Sequence, residues 1–288
     1  MNYLFKKRLK EQVAIWIMRI LSLCVLSFLI VILGFIVVNG FKVISWEFLT
    51  EMPDNGMTSG GIYPAIIGTL CLMAGSMIIA FPIGVMSGIY MNEYMKGSLF
   101  KRFITVMTNN LAGIPSIVFG LFGMEFFVNQ LGWGDSIIAG SFTLGLLAIP
   151  VVIRTTEEAL KAIPDIYREG SYALGASKWQ TVRNVVLPSA MPNIITGLIL
   201  SMSRVSGETA PILFTVAAYF LPRLPQSIFD QVMALPYHLY VISTSGTNIE
   251  ASRPYAYGTA LVLIMLVLIL NLLANAIRKY LGKKVKTH

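Results

Sequence analysis

The sequence predicts an all-α, polytopic membrane protein with six transmembrane helices, and three observations lead there. Of 288 residues, 56% are hydrophobic and only 12% charged, which is too apolar for a soluble domain. Six apolar stretches approach or exceed the roughly 20 helical residues that cross a ~30 Å hydrocarbon core. The basic residues collect in alternate connections, as they do in a chain with one basic side. The spans are expected at 15–38, 62–90, 103–128, 136–153, 188–219 and 256–277.

Residues 1–13 read as a cytoplasmic segment, 14–280 as the membrane domain and 281–288 as a cytoplasmic basic tail. Lys6, Lys7, Arg8 and Lys10 resemble the basic region of a secretory signal. The apolar run after them is too long for a signal core and lacks a small-residue cleavage site, so it is expected to remain as the first helix. Cys24 and Cys71 sit within apolar segments and are expected to pack as small hydrophobes, with no redox or metal role. The connection 39–61 carries Glu47, Glu51, Pro53, Asp54, Asn55 and Gly56, types that turn and solvate, and reads as an outer loop or short hairpin.

Pro82 in the second span and Gly113 and Pro115 in the third predict kinks or local unwinding, because proline leaves a carbonyl without its helical partner. Either a packing kink or a substrate-contacting break fits. In the second case the stretch NNLAGIPS, 109–116, would place Asn110 and Ser116 along a pathway. The connection 132–135 is short enough to make spans three and four antiparallel neighbours.

The fourth connection, 154–187, is long and partly polar. Pro164, Asp165 and Glu169 give helix-entry chemistry, so a short helix is expected over 164–178. Ile166, Gly170, Ala173, Leu174 and Ser177 recur at offsets of three and four and share a narrow face of mostly small residues. Gly175 then turns the chain and Pro188 begins span five. An ordinary solvated loop is one reading; a docking element for another protein is the other.

In span five, Arg204 and Glu208 are spaced for one helix face near mid-membrane. A mutual salt bridge would explain them. So would a polar cavity with Ser203, Ser206 and Thr209, in which a guanidinium fork suits a tetrahedral oxyanion. In the fifth connection, 220–255, an amphipathic stretch at 226–240 is expected along the outer membrane surface, with His238 in a surface role. Glu125 is expected to reach the interface, and Trp16, Trp46, Trp133 and Trp179 to sit at membrane boundaries.

All but four of the 22 Lys and Arg residues fall on the side of the two termini; Lys42, Arg223 and Arg253 lie opposite and Arg204 lies within a span. Both termini are therefore expected in the cytoplasm, in a bacterial or archaeal plasma membrane. Anionic lipid accounts for the net charge of +8 without nucleic acid. There is no G-x-x-x-x-G-K-[ST] phosphate loop and no metal or hydrolytic constellation, so the chain is not expected to be an enzyme.

The segment EGSYALGASKWQTVRNVVLP resembles the EAA signature of ABC-importer permeases. Glu169 holds first place, Gly170 and Ser171 replace the two alanines, and Gly175, Val185, Leu187 and Pro188 match the rest. GGIYPAIIGTL from Gly60, LAGIPSIVFGLFG from Leu111 and RVSGETAP from Arg204 resemble phosphate-specific permeases of the PstA and PstC type, and MALPYHLY from Met233 leans toward PstA. The resemblance implies a type I ABC importer permease fold and inorganic phosphate as cargo. It also implies a PstC-type partner permease, a dimer of ATPase subunits that carries ATP and Mg, and an extracytoplasmic phosphate-binding protein. Ile166, Glu169, Gly170, Ala173, Leu174, Gly175, Ser177 and Lys178 would meet the ATPase, and Arg204 and Glu208 the anion. Sulfate or molybdate as cargo, an ion-coupled carrier or channel, and a scaffold or sensor for phosphate signalling are the alternatives.

Overall fold

The computed structural model describes residues 2–95, 97–245 and 249–286, with side chains described over 11–95, 97–245 and 249–280. Lys96 and positions 287–288 lie outside the described residues, as do the side chains of the basic residues before position 11 and after 280. In chain order come α1 (Asn2–Gly40), α2 (Trp46–Thr50), the antiparallel hairpin β1 (Pro53–Asp54) and β2 (Ser59–Gly60), then α3 (Tyr63–Ile89). There follow α4 (Leu99–Ala112), α5 (Ser116–Gly123), α6 (Ile137–Lys161), α7 (Asp165–Ala173) and α8 (Lys178–Thr181). The last are α9 (Leu187–Ser206), α10 (Ala210–Thr215), α11 (Leu235–Thr244) and α12 (Ile249–Lys286). Wider π turns continue α3 through Tyr90–Tyr94 and α5 through Met124–Gln130, and Val182–Val186 joins α8 to α9.

Five helical stretches are long and apolar enough to cross a membrane: Glu11–Gly40, Tyr63–Tyr94, Ile137–Lys161, Lys178–Ser206 and Ile249–Tyr280. The expected third span is instead a pair, Leu99–Ala112 and Ser116–Gln130, bent by 94°. Gly113 ends the first arm, and Pro115, extended at φ −57° and ψ 139°, caps the second, so no hydrogen-bonded helix passes through. Its role as a crossing follows from α3 and α6. A Cβ on Gly75 would meet Ser141, one on Gly84 would meet Val152, and one on Gly88 would meet Thr156. The two helices therefore run parallel, almost backbone to backbone, and the bent pair between them must carry the chain back across. Six crossings result, as expected.

α9 packs antiparallel to α6: Leu144 and Ala148 share a core with Val205, and Ala159 and Leu160 share one with Val186 and Ala190. α12 lies antiparallel along α9, where the Ser203 hydroxyl meets Asn271 at 2.8 Å and Arg278 donates to Thr196 at 3.2 Å. Among the described residues, α1 meets the first turns of α12 through Gly40 and the edge-on pair Phe35–Tyr257, and its side chains from Glu11 to Leu33 are exposed.

Several boundaries differ from expectation, each for a local reason. Hydropathy stops the fourth span at 153, but Thr155, Thr156, Glu157 and Glu158 remain helical to Lys161, with Glu157 buried beside Lys101 at 3.5 Å. The fifth span starts at Lys178, where Ser177 and Gln180 form a reciprocal capping box. Pro188 is therefore inside the helix; the preceding π turn spares its ring the usual clash with the backbone four residues back. The expected loop 154–187 thus contracts to the α7 hairpin between helix extensions. The same span ends at Ser206 rather than 219, because Gly207 closes α9 and Pro211 opens α10.

The amphipathic stretch placed along the membrane surface is also corrected. Residues 226–234 are irregular, and α11 packs into the bundle against α3 and α12, burying Leu235, Pro236, His238, Val241 and Ile242. Thr69 of α3 accepts the Leu235 amide at 2.8 Å, pinning the start of α11.

Candidate functional site: an exposed end helix, its anchor and two helix breaks

α7 stands out at the end of the bundle where α3 and α6 finish and α9 begins. Pro164 precedes it in extended backbone, Asp165 lies in its first turn, and the chain leaves it through Gly175 at φ +82°, where a side chain would be strained. The expected single helix over 164–178 is therefore shorter, and Ser177 caps the next helix rather than sharing the face of α7. The face itself is open: Ile166 is 71% exposed and Leu174 90%, with Tyr167, Tyr172, Trp179, Glu169, Gly170, Ala173, Gly175 and Lys178 also exposed. Exposed apolar patches rimmed by polar groups are the kind of surface at which proteins meet partners or membrane.

Beneath this face lies an anchor that sequence reasoning missed. Arg168, counted above among the loop cations, is only 6% exposed. Its guanidinium donates to Glu93 through Nη2 at 2.8 Å and Nε at 3.3 Å, and to Asp165 through Nη1 at 3.0 Å. It also donates to the carbonyls of Leu160, in the last turn of α6, and Ile163, in the linker after it, each at 2.9 Å. Asn92 fixes Glu93 with a further bond at 2.8 Å. Burial alone works to lower the Arg168 pKa; the bond and charge of Glu93, with Asp165, outweigh it and hold the group above its ordinary value. A cleft of about 320 Å³ beside the anchor is lined by Glu93, Asp165, Arg168, Glu169, Tyr172 and Lys178. The Lys178 ammonium sits 4.7 Å over the Tyr94 ring, and Ser171 meets Thr181 at 2.9 Å, so α8 joins the same cluster.

Arg204 and Glu208 are placed differently from expectation. Arg204 is in the last turn of α9 and Glu208 is in the non-helical break before α10, so they do not share one continuous helix face. They remain in reach, with Nε 3.8 Å from the carboxylate, as a long ion pair. The Arg204 side chain is 40% exposed and Glu208 17%, so a polar group arriving from outside the chain can still meet the guanidinium. Ser116 opens α5. Gly120 lies against Ala210 and Pro211 and Gly123 against Thr215, so α5 and α10 run parallel and the two breaks lie at the same end of the pair. Asn110 is on the other arm of the bend, exposed in the last turn of α4. Its neighbour Asn109 instead lines a cavity of about 200 Å³ with Thr105, Arg154, Glu157 and Lys161.

Of the remaining singled-out residues, Glu125 is exposed and accepts from Asn129 and Gln130. Trp133 stacks on Phe127 at 5.5 Å. His238, expected at the surface, is 3% exposed, and burial pushes its pKa down to about 4. No group of three or more potential metal ligands occurs among the described residues.

Comparison with known proteins bears on this arrangement. The family model described as "Binding-protein-dependent transport system inner membrane component" matches residues 80–287. The chain is 40% identical over 281 residues, 95% of its length and 90% of the relative's, to the phosphate transport system permease protein PstA of Mycobacterium leprae (strain TN). It is 34% identical to the probable ABC transporter permease protein YqgI of Bacillus subtilis (strain 168), covering 97% of this chain and 98% of that one. A chain of the bacterial alginate ABC transporter, solved with an alginate-bound periplasmic protein, superposes with a TM-score of 0.66 at 16% identity, over 93% of this chain and 96% of that chain.

Proposed function

The chain belongs to the family of binding-protein-dependent transport system inner membrane components, and from that premise we propose that it moves inorganic phosphate inward as one permease subunit of an ATP-driven importer. The observation that carries the cargo is the 40% identity to a phosphate transport permease across 95% of the chain. In this reading a second, PstC-type permease completes the pathway, paired ATPase subunits bind the α7 face, and an external binding protein delivers phosphate. The termini and α7 face the cytoplasm, in keeping with the basic residues gathered at that end. ATP and Mg belong to the ATPase; this chain supplies the path and the docking face.

The docking role draws on Ile166 and Leu174, two large apolar side chains left exposed. Glu169, Gly170, Ala173, Gly175, Ser177 and Lys178 shape the same hairpin. The pathway role draws on Arg204, whose distance from Glu208 leaves donors for an oxyanion. Glu208 balances the guanidinium when no anion is present, and the site stays weak enough to release its cargo. Ser116 would add a hydroxyl from the neighbouring break. Asn110 is retained as a pathway residue on the α4 arm of the bend.

The test is uptake of radiolabelled phosphate by cells whose phosphate permease is replaced by this chain with its partner subunits. Arg204→Gln is expected to abolish uptake while the ATPase still co-purifies. Undiminished uptake by the variant overturns the anion role, and competition by sulfate or molybdate at phosphate-like concentrations overturns the cargo.

A further inference from the structure

We propose that the buried Arg168–Glu93 pair is the transmission joint of the importer: it locks the docking helix to the inner ends of two spans, so that they move as one body. The proposal rests on the docking role of α7 given above. Glu93 is 75 positions before Arg168, in the turn that ends span two, so the contact is not a local helix pairing. All three guanidinium nitrogens are bonded, and they reach α3, the end of α6, the linker and α7 itself. A planar fork held at this many points fixes orientation as well as distance, which a single charge contact does not.

Two further features extend the body and limit it. α3 and α6 are packed so closely that a Cβ at Gly84 or Gly88 would fall 2.6–2.7 Å from Val152 or Thr156 side-chain atoms, so neither helix can slide without repacking the other. Open space is found at Gly170 and Gly175 within the hairpin, and, beyond the joint, at the two breaks. A Cβ at Gly207 would meet nothing within 4 Å, and one at Gly113 only carbonyls of its own preceding turn. A push on α7 is therefore passed through the joint to α3 and α6 and taken up at 113–115 and 207–209, beside Ser116 and Glu208. Arg168 and Glu93 act through position, without touching the cargo.

The experiment uses the full assembly with its partner permease and ATPases, and a chain in which Cys24 and Cys71 are serine. Nitroxide labels at the half-exposed Tyr90 and Tyr167 report across the joint; a second pair at Tyr167 and Leu121 reports across the α4–α5 break. Between the nucleotide-free and ATP-trapped states, the 90–167 distance is expected to stay constant while the 121–167 distance shifts. A change in 90–167 in the unmodified joint overturns the proposal and needs no variant that might misfold. Glu93→Gln, which keeps shape and removes charge, is expected to broaden the 90–167 distribution. It should also lower phosphate moved per ATP by roughly tenfold, within the range of couplings between distant sites, with the ATPase still bound. A wild-type ratio in a bound, folded Glu93→Gln assembly overturns the joint. Failure of the ATPase to bind the unsubstituted chain overturns the docking role instead, and is seen before any label is read.

Discussion

Leu174 offers the sharpest test of the docking face. It is 90% exposed at the end of α7 and takes no part in the bundle cores, so the folded chain has little to lose from its replacement. Full burial of a leucine side chain contributes about 1.5–3 kcal/mol, and at this exposure nearly all of that is available to a partner. Aspartate would forfeit it and must also shed water against an apolar wall, at a cost of about 1 kcal/mol or more. A loss of about 3 kcal/mol corresponds to roughly 150-fold in Kd. Purified wild-type and Leu174→Asp chains, each assembled with the partner permease, would be titrated with the ATPase in detergent while their melting temperatures are recorded. The expected result is the large loss of affinity with melting shifted by no more than an exposed substitution ordinarily causes, about 0.5 kcal/mol. Trp46→Ala is the control, since Trp46 is 80% exposed at the opposite end of the bundle and should leave binding unchanged. Wild-type affinity in Leu174→Asp, or an equal loss in Trp46→Ala, would refute the assignment of this face.

Gly175→Ala forces a side chain into left-handed backbone at φ +82°, at a cost of about 1–2 kcal/mol; the hairpin should become more susceptible to proteolysis between α7 and α8, measured by limited digestion. His238 gives a pH dependence of definite sign. Because burial holds its folded pKa near 4, the unfolded chain takes up a proton below pH 6.5 that the folded chain refuses, so stability is full above pH 6.5 and falls as the pH drops toward 4. The loss between neutral pH and pH 5 is about 2 kcal/mol, and His238→Leu should flatten that part of a melting-temperature profile.

What was legible in the sequence is what depends on local pattern. Apolar length located every crossing, and the proline at 115 marked the bent one, since a missing donor and a steric clash are local facts. The break after α9 carried a local sign as well: Gly207 followed by Pro211 is the ordinary way one helix stops and another starts. Hydropathy concealed it, because the residues on both sides are apolar. The burial of His238 was available from spacing too. Leu235, His238 and Ile242 fall at offsets of three and seven on one helical face, and the absence of a charged neighbour there marks an interior position rather than a surface one.

Arg168 shows where such reading ends. Among Arg154, Lys161, Arg168, Lys178 and Arg183 in the fourth connection, nothing local separates a cation that greets the lipid surface from one that is buried, because the difference is made by Glu93 in another span. Counting it with the exposed cations left the orientation argument intact, since one charge of many hardly alters the bias. It did hide a mechanical consequence. A docking helix tethered only by its two linkers would yield when pushed, and the stroke would be spent in the loop. One held through a buried fork cannot yield without breaking a paired charge away from water, a change that costs several kcal/mol when one partner is removed. The compliant positions must then be where side-chain packing is absent, and Gly113 and Gly207 satisfy that condition beside the residues proposed to meet the anion. Stiffness at one end and freedom near the other are thus parts of one requirement: the motion has to arrive at the pathway rather than dissipate before it.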